Sequence, residues 1–183
     1  MPLRYRLFVV SAVLALAADQ LTKLWARGSL AFGRPVTVIK NFWEWELSYN
    51  YGSAFGFLNN AAWAPVFLTV MALGVAAFIT VYVYRERPIE FHVGKRQVVW
   101  GPLHDDQKWL TVALGLIWSG ALGNAIDRVL DGKVTDFVLW RIKDVYRHPQ
   151  FNVADAALVA GVIILALDVG GDQKRHKKPA KKK

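Results

Sequence analysis

Four long stretches of this sequence are apolar and almost free of charge. No charged side chain occurs in residues 7–18, 61–84 or 109–126, and the only charged side chain in residues 151–167 is Asp155. The first stretch continues in a helical pattern to residue 25. A helix that crosses a bilayer needs about 20 such residues. The hydrophobic share of 54% leaves little polar chain to cover a soluble core of four helices. We therefore expect an all-α membrane domain, residues 1–173, with four transmembrane helices, and a basic cytoplasmic tail, residues 174–183.

The distribution of basic residues predicts the orientation of these helices. Four spans place both termini on one side of the membrane, together with the connection between spans two and three. That side holds 14 of the 23 Lys and Arg residues, seven of them in the C-terminal "KRHKKPAKKK". Because basic residues accumulate on the cytoplasmic side, we expect both termini in the cytoplasm. The tail is either a solvated run of charge or a contact for anionic lipid headgroups.

The segments on the other side have a different character. "PVTVIKNFWEWELSYN" alternates apolar and polar residues, which is typical of strands, so residues 28–60 predict a small sheet on the outer surface. Trp43, Trp45 and Tyr49 suit a membrane–water interface, and a simple aromatic belt is the alternative. Residues 130–150 predict a second, amphipathic outer segment. The inner connection, residues 86–107, predicts a long polar loop.

The polar residues of the spans share one membrane depth, at their outer ends. These residues are Asp19 and Lys23 in the first span, Asn124, Asp127 and Arg128 in the third, Asp136 shortly after it, and Asn152 and Asp155 in the fourth. Within each helix they are three or four positions apart and so share a face. Small residues recur every four positions at Gly115, Ser119 and Gly123, and at Ala157 and Gly161, which favours close helix packing. We expect the polar faces to form one site.

Among the polar residues near the spans, Asp136 and Asp155 are the hardest to explain as local structural ion pairs. The only basic residue three or four positions from either of them is Lys133, three positions before Asp136. Two neighbouring carboxylates that are partly desolvated do not both ionise cheaply, so one holds a proton and the other serves as a base. This arrangement is the one that an aspartic hydrolase uses to activate water and to protonate a carbonyl oxygen.

The remaining polar residues have simpler explanations that stay open at this point. Asp19 and Lys23 are placed to form an ion pair within one helix, and Asp127 and Arg128 to form a structural pair that holds the outer loop. Asn124 is of the type that forms hydrogen bonds between membrane helices. None of these explanations requires chemistry.

Other chemistries find little support in the sequence. The absence of cysteine excludes disulfides, thiolate metal sites and a cysteine nucleophile. Three of the four histidines fall on the inner side and none has metalloprotease spacing, so we expect neither a metal nor another cofactor. The net charge of +9 follows the membrane topology and does not form a groove-reading motif, so we expect no nucleic-acid partner.

Five motifs, in order, resemble those of one bacterial family, the lipoprotein signal peptidases or type II signal peptidases. They are "DQLTK" from Asp19, "YNYGSAFGFL" from Tyr49, "GALGNAIDR" from Gly120, "GKVTDFV" from Gly132 and "FNVADAAL" from Phe151. The resemblance implies that Asp136, in V-x-D-F, and Asp155, in F-N-x-A-D, are catalytic. It also implies cleavage of prolipoproteins just before a cysteine that carries diacylglycerol. The enzyme would be a monomer in the inner membrane, and its partners would be these substrates and membrane lipids.

The resemblance implies further roles for the surrounding residues. Residues that would hold the substrate backbone or order the dyad are Asn50, Gly52, Asn124, Arg128 and Asn152, and those with supporting roles are Asp19, Lys23 and Asp127. The sequence departs from the family pattern where N-T-G-A-A-F reads "NYGSAF", with Tyr51 in place of a small Thr. The inner connection is also longer than the family pattern leads one to expect.

Two other functions remain as alternatives. A proton-coupled transporter would carry acids near the bilayer centre and inverted repeats, whereas here the acids lie at one edge and no repeat is visible. A non-catalytic scaffold for lipoproteins would share the topology and would need neither Asp136 nor Asp155.

Overall fold

The computed structural model describes residues 1–52, 63–87, 89–93, 96–143 and 145–176. Its elements, in chain order, are α1 (Leu3–Ser29), β1 (Val36–Ile39), β2 (Trp43–Asn50), α2 (Ala64–Tyr84), β3 (Ile89–Val93), β4 (Arg96–Trp100), α3 (Lys108–Asp131), β5 (Val134–Ile142), β6 (Tyr146–Arg147) and α4 (Val153–His176). Each of the four apolar stretches lies within one helix, apart from Trp63 before α2 and Phe151 and Asn152 before α4. Residues 61 and 62 of the second stretch lie outside the described residues.

The helices form a bundle around α3, which packs against α1, α2 and α4. Within the described part of the chain, three helices are long and apolar enough to cross a membrane, namely α1, α2 and α3. More than half of the apolar window of α3 is buried, whereas α1 and α2 leave most of theirs exposed. Large apolar side chains such as Leu14 and Val66 therefore face outward, as expected of helices surrounded by lipid.

Small residues let α3 approach its neighbours closely, as the sequence predicts. A Cβ atom on Gly115 would overlap the Ser11 side chain of α1, and one on Gly120 would overlap the carbonyl oxygen of Ala154 in α4. In the other direction, Gly161 of α4 lies directly against the backbone of α3. The side chains at the ends of these helices are consequently held within contact distance of one another.

One antiparallel sheet of four strands, in the order β1-β2-β5-β6, covers the end of the bundle where α1 and α3 end and α4 begins. The segment of residues 130–150, predicted as amphipathic, supplies the last residues of α3 and strands β5 and β6. Asp136, which follows shortly after the third predicted span, lies in β5 opposite Ser48 of β2. The β-branched and aromatic residues of "VTDFVLWRI" favour a strand, and pairing with β2 satisfies the backbone donors and acceptors of that strand.

The inner connection also contains more structure than the predicted polar loop. Strands β3 and β4 pair as a hairpin, with Ile89 opposite Trp100 and Val93 opposite Arg96. Beyond the hairpin, the Asp105 carboxylate accepts hydrogen bonds from the backbone N–H groups of Leu3 and Arg4, each at 3.2 Å. These bonds satisfy free donors at the start of α1 and tie the N-terminus to the beginning of α3.

Candidate active site

The chain doubles back after β5 and brings Asp136 to the start of α4. Strands β5 and β6 form a tight hairpin whose turn contains Lys143 at a positive φ of 48°. The chain then returns beside β5, where Phe151 donates a backbone hydrogen bond to Val138 at 3.0 Å and accepts one from it at 2.9 Å. Asp136 and Asn152, which flank this bridge, are therefore adjacent. The sequence predicts this reversal from the polar stretch that contains Pro149.

Asn152 connects the two carboxylates. Its side chain is completely buried. Its Nδ2 group donates to Asp136 Oδ1 at 2.7 Å, to Asn124 Oδ1 at 3.1 Å and to the Thr135 carbonyl oxygen at 3.3 Å. Its backbone N–H donates to Asp155 Oδ2 at 3.1 Å, and its Oδ1 accepts from the Asp155 N–H at 2.9 Å. One asparagine thus fixes both members of the predicted dyad.

The bonds between Asn152 and Asp155 also cap α4. Asn152 occupies the N-cap position and Asp155 the third helical position, and each binds the backbone N–H of the other, which is the geometry of a capping box. Asp19 accepts a further hydrogen bond from the Ala154 N–H at 2.9 Å. The free N–H groups of a helix N-terminus favour negative charge. This local environment explains how an apolar helix retains a carboxylate near its beginning.

The two carboxylates differ in their surroundings. Asp136 is 2% exposed, and burial, followed by the neighbouring charge of Asp155, raises its pKa to about 7, against the lowering effect of hydrogen bonds from Asn152 and Asn50. Asp155 is partly exposed and accepts a hydrogen bond from Asn124 Nδ2 at 2.8 Å. Near neutral pH, Asp136 can therefore hold a proton beside an accessible, hydrogen-bonded Asp155.

Lys23 lies at the centre of a buried charge network next to the dyad. Its Nζ atom contacts Asp19 Oδ2 at 2.9 Å, Asn124 Oδ1 at 3.0 Å and Asp127 Oδ2 at 3.3 Å. The ion pair between Asp19 and Lys23 expected within α1 is present, but it belongs to a network that spans α1 and α3. Asp127 also accepts the backbone N–H of Thr135 at 2.9 Å. Through Asn124, this network reaches Asp155.

Arg128 faces the carboxylates with unused hydrogen-bonding capacity. Its strongest electrostatic partners are Asp155, then Asp136 and Asp127. One guanidinium nitrogen donates to the Asn124 carbonyl oxygen at 3.4 Å, while Nε is buried and has no hydrogen-bond partner among the described residues.

The end of β2 completes the described part of the site. Asn50 forms a hydrogen bond with Asp136, and its Oδ1 accepts the Gly52 N–H at 2.9 Å. Gly52 has a φ of 114°, a conformation open mainly to glycine. Tyr51, the departure from the family pattern, is exposed. The remainder of this motif, residues 53–58, lies outside the described residues.

Sequence reasoning missed two contributors to this geometry. Arg27 donates to Thr135 Oγ1 at 3.0 Å and lies 3.8 Å from Asp127 Oδ1. Thr135 is buried, and its backbone binds both Asp127 and Asn152. The available signal was the spacing of Asp19, Lys23 and Arg27 at intervals of four, which places all three on one face of α1. Nothing in the sequence marked Thr135.

The described residues contain no group of three or more His, Cys, Asp or Glu side chains arranged to hold a metal ion. The two carboxylates lie together with asparagine and arginine neighbours. They are suited to acid–base chemistry on an amide bond.

Known proteins resemble this chain over most of its length. A family model described as signal peptidase II matches residues 11–170. The lipoprotein signal peptidase of Pseudomonas syringae pv. tomato is 37% identical over 86% of this chain and 82% of its own, and that of Xanthomonas campestris pv. campestris is 32% identical over 94% and 93%. A bacterial membrane enzyme solved at 2.3 Å superposes with a TM-score of 0.74 at 28% identity, covering 96% of this chain and 94% of that enzyme. This chain belongs to the signal peptidase II family.

Proposed function

We propose that this signal peptidase II is an aspartic endopeptidase that cleaves diacylglyceryl-modified prolipoproteins just before the lipidated cysteine. The observation that carries the proposal is the contact of Asn152 with both Asp136 and Asp155. This contact supports a pair of carboxylates that act together on one water molecule and one amide bond. The relatives named above are lipoprotein signal peptidases, which supports the choice of substrate.

The difference in environment assigns a role to each carboxylate. Asp155, which is partly exposed, acts as the base and takes a proton from water as the water oxygen attacks the scissile carbonyl carbon, while Asp136 gives its proton to the carbonyl oxygen. Collapse of the tetrahedral intermediate breaks the C–N bond, as the protonated Asp155 protonates the leaving nitrogen and Asp136 recovers a proton from the intermediate hydroxyl. Both carboxyl groups return to their initial states, as a general acid–base cycle requires.

We further propose that Arg128 and Asn50 hold the substrate backbone. The Nε–H group of Arg128 is a buried donor beside the dyad, without a partner among the described residues. Asn50, the last residue of β2, forms a hydrogen bond with Asp136. A carbonyl oxygen bound by Arg128 would be stabilised as negative charge develops on it.

The depth of the site suits a membrane-anchored substrate. We infer four membrane spans, with α4 as the fourth. We also infer that both termini are in the cytoplasm, because 14 of the 23 Lys and Arg residues belong, in the sequence, to the two terminal segments and the connection between α2 and α3. The dyad then lies at the outer leaflet of the inner membrane. A precursor held by its signal helix and acyl chains would present its scissile bond at this depth without being moved into water.

Purified protein incubated with a diacylglyceryl-modified precursor tests this proposal. We expect release of the signal peptide from the modified precursor and little release from the same precursor without lipid. EDTA should not affect the rate, because the aspartic mechanism needs no metal. No cleavage of the modified precursor, or cleavage that EDTA abolishes and a divalent ion restores, would contradict the proposal.

A further inference from the structure

An apolar groove begins at the dyad and runs along α4. Its volume is about 400 Å³ and Asp155 lies at one end. The α4 side is formed by Ala156, Val159, Ala160 and Ile163, whose spacing of three and four places them on one helix face. This face covers two turns, about 10 Å along the helix axis. The groove therefore leads from Asp155 along α4, toward the midpoint of the helix.

Three aromatic side chains form the rest of the groove wall. The rings of Trp140 and Phe151 meet edge to face with centroids 4.9 Å apart, and those of His148 and Phe151 with centroids 5.6 Å apart. The backbone holds this wall in place, since the His148 N–H donates to the Trp140 carbonyl oxygen at 2.8 Å. Trp140 lies four residues after Asp136 on the same strand, β5. The wall and the dyad are consequently parts of one rigid unit.

The chemistry of the groove favours a hydrocarbon ligand. Away from Asp155 and His148 its lining is entirely apolar, and Val159 and Ile163 are 59% and 53% exposed on the outer surface of α4. Ala156 and Ala160 create the space between the bulkier side chains. A groove of this size accommodates a single hydrocarbon chain, whereas an α-helix with its side chains is about 10–12 Å across.

We propose that this groove binds one acyl chain of the diacylglyceryl group on the substrate, an inference that rests on the proposed function. Cleavage just before the modified cysteine places its thioether within one residue of the carbonyl carbon under attack, and so next to Asp155. From there the acyl chain must run toward the membrane interior, the direction in which the groove runs along α4. Trp140 and Ala160 then determine specificity, since one forms the wall and the other provides the space for the chain.

Precursors with one peptide sequence and diacylglyceryl groups of different chain length, in mixed micelles of fixed composition, test the groove. The informative variant is Ala160→Leu, because leucine fills the groove and is compatible with an apolar helix. The matched control is Val162→Leu, since Val162 is exposed on α4 and does not line the groove. KM and kcat are measured for a long-chain and a short-chain precursor.

For the wild type we expect KM to rise as the acyl chain is shortened, at most about fourfold per methylene lost from the groove. Ala160→Leu should raise KM for the long-chain precursor about tenfold or more, with kcat little changed, and should have little effect on the short-chain precursor. Val162→Leu should behave like the wild type with both substrates.

The inference and the proposed function fail in different ways. If Ala160→Leu changes KM equally for both precursors, or for neither, the groove does not hold the acyl chain. The first of these results would point to a peptide side chain as the occupant. If the wild-type protein cleaves no diacylglyceryl precursor at all, the proposed function itself is wrong.

Discussion

At the scale of single residues, the properties of Asp136 come from neighbours that are distant in sequence. Asn152 lies 16 positions away and Asn50 belongs to a different strand, yet both form hydrogen bonds with its carboxyl group. Burial and the charge of Asp155 outweigh these bonds and raise the pKa of Asp136 to about 7. A buried acid with a raised pKa is useful as a proton donor and unfavourable for stability once it ionises.

Asp136→Asn should therefore stabilise the protein at alkaline pH. The pKa of Asp136 in the folded protein is about 7, above its ordinary value of 3.8. Between these two pH values the folded state binds more protons than the unfolded state. The stability of the wild type therefore falls as the pH rises toward 7. A difference of one in pKa between the folded and unfolded states corresponds to about 1.4 kcal/mol. Apparent melting temperatures of both proteins at pH 5 and pH 8 check this expectation. An advantage for the variant that does not grow with pH would contradict it.

Arg128→Lys should lose most activity while the protein still inserts and binds the precursor. Lysine keeps the charge but lacks the planar set of N–H donors that includes the buried Nε. We expect kcat to fall at least tenfold. Arg147→Lys is the matched control, because Arg147 is exposed and pairs with Glu46 on the sheet. Equal kcat values for wild type and Arg128→Lys would assign Arg128 a purely structural role.

At the scale of elements, the helices and the sheet segment that holds β1 and β2 could be predicted from the sequence, whereas strand β5 could not. The length of an uncharged run such as residues 61–84 is enough to predict a membrane helix. The segment that forms β5 reads as amphipathic, and its pairing with β2 depends on contacts between residues about 90 positions apart. The chain reversal near Pro149 was predictable from local turn residues. The role of Thr135 was not, because it acts mainly through its backbone.

Gly120→Ala should weaken the contact between α3 and α4 that positions Asn152. A Cβ atom there would overlap the Ala154 carbonyl oxygen and press against Leu158, and overpacking of this kind typically costs about 1–3 kcal/mol. Gly74→Ala is the matched control, since a Cβ atom added at this glycine in α2 would meet nothing within 4 Å. We expect a lower apparent melting temperature for Gly120→Ala and an unchanged or slightly higher one for Gly74→Ala. Equal values would contradict the close contact.

At the scale of the whole molecule, the sheet and the dyad lie at one end of the bundle and the N-terminus at the other. The proposed orientation follows from the basic residues, many of which lie in the C-terminal tail. The order of the helices along the chain places the beginning of α4 beside the ends of α1 and α3. A substrate site at the outer leaflet therefore depends on a cytoplasmic C-terminus.

A reporter that is active only in the cytoplasm should work when it is fused after Lys183. The same reporter fused after Asn41, in the turn between β1 and β2, should be inactive, because we place this turn outside. Activity at Asn41 and not after Lys183 would reverse the orientation and move the dyad to the inner leaflet.

The most direct test of the aspartic mechanism is single-turnover cleavage of a diacylglyceryl precursor by Asp136→Asn, Asp155→Asn and the double variant. We expect no detectable cleavage by either single variant, and no further loss in the double variant, because the two carboxyl groups act as a unit. Asp106→Asn, in the exposed connection before α3, serves as the control with full activity. Membrane insertion and precursor binding should be normal in all four. Near-normal cleavage by Asp136→Asn or Asp155→Asn would remove that aspartate from the mechanism and contradict the proposed dyad.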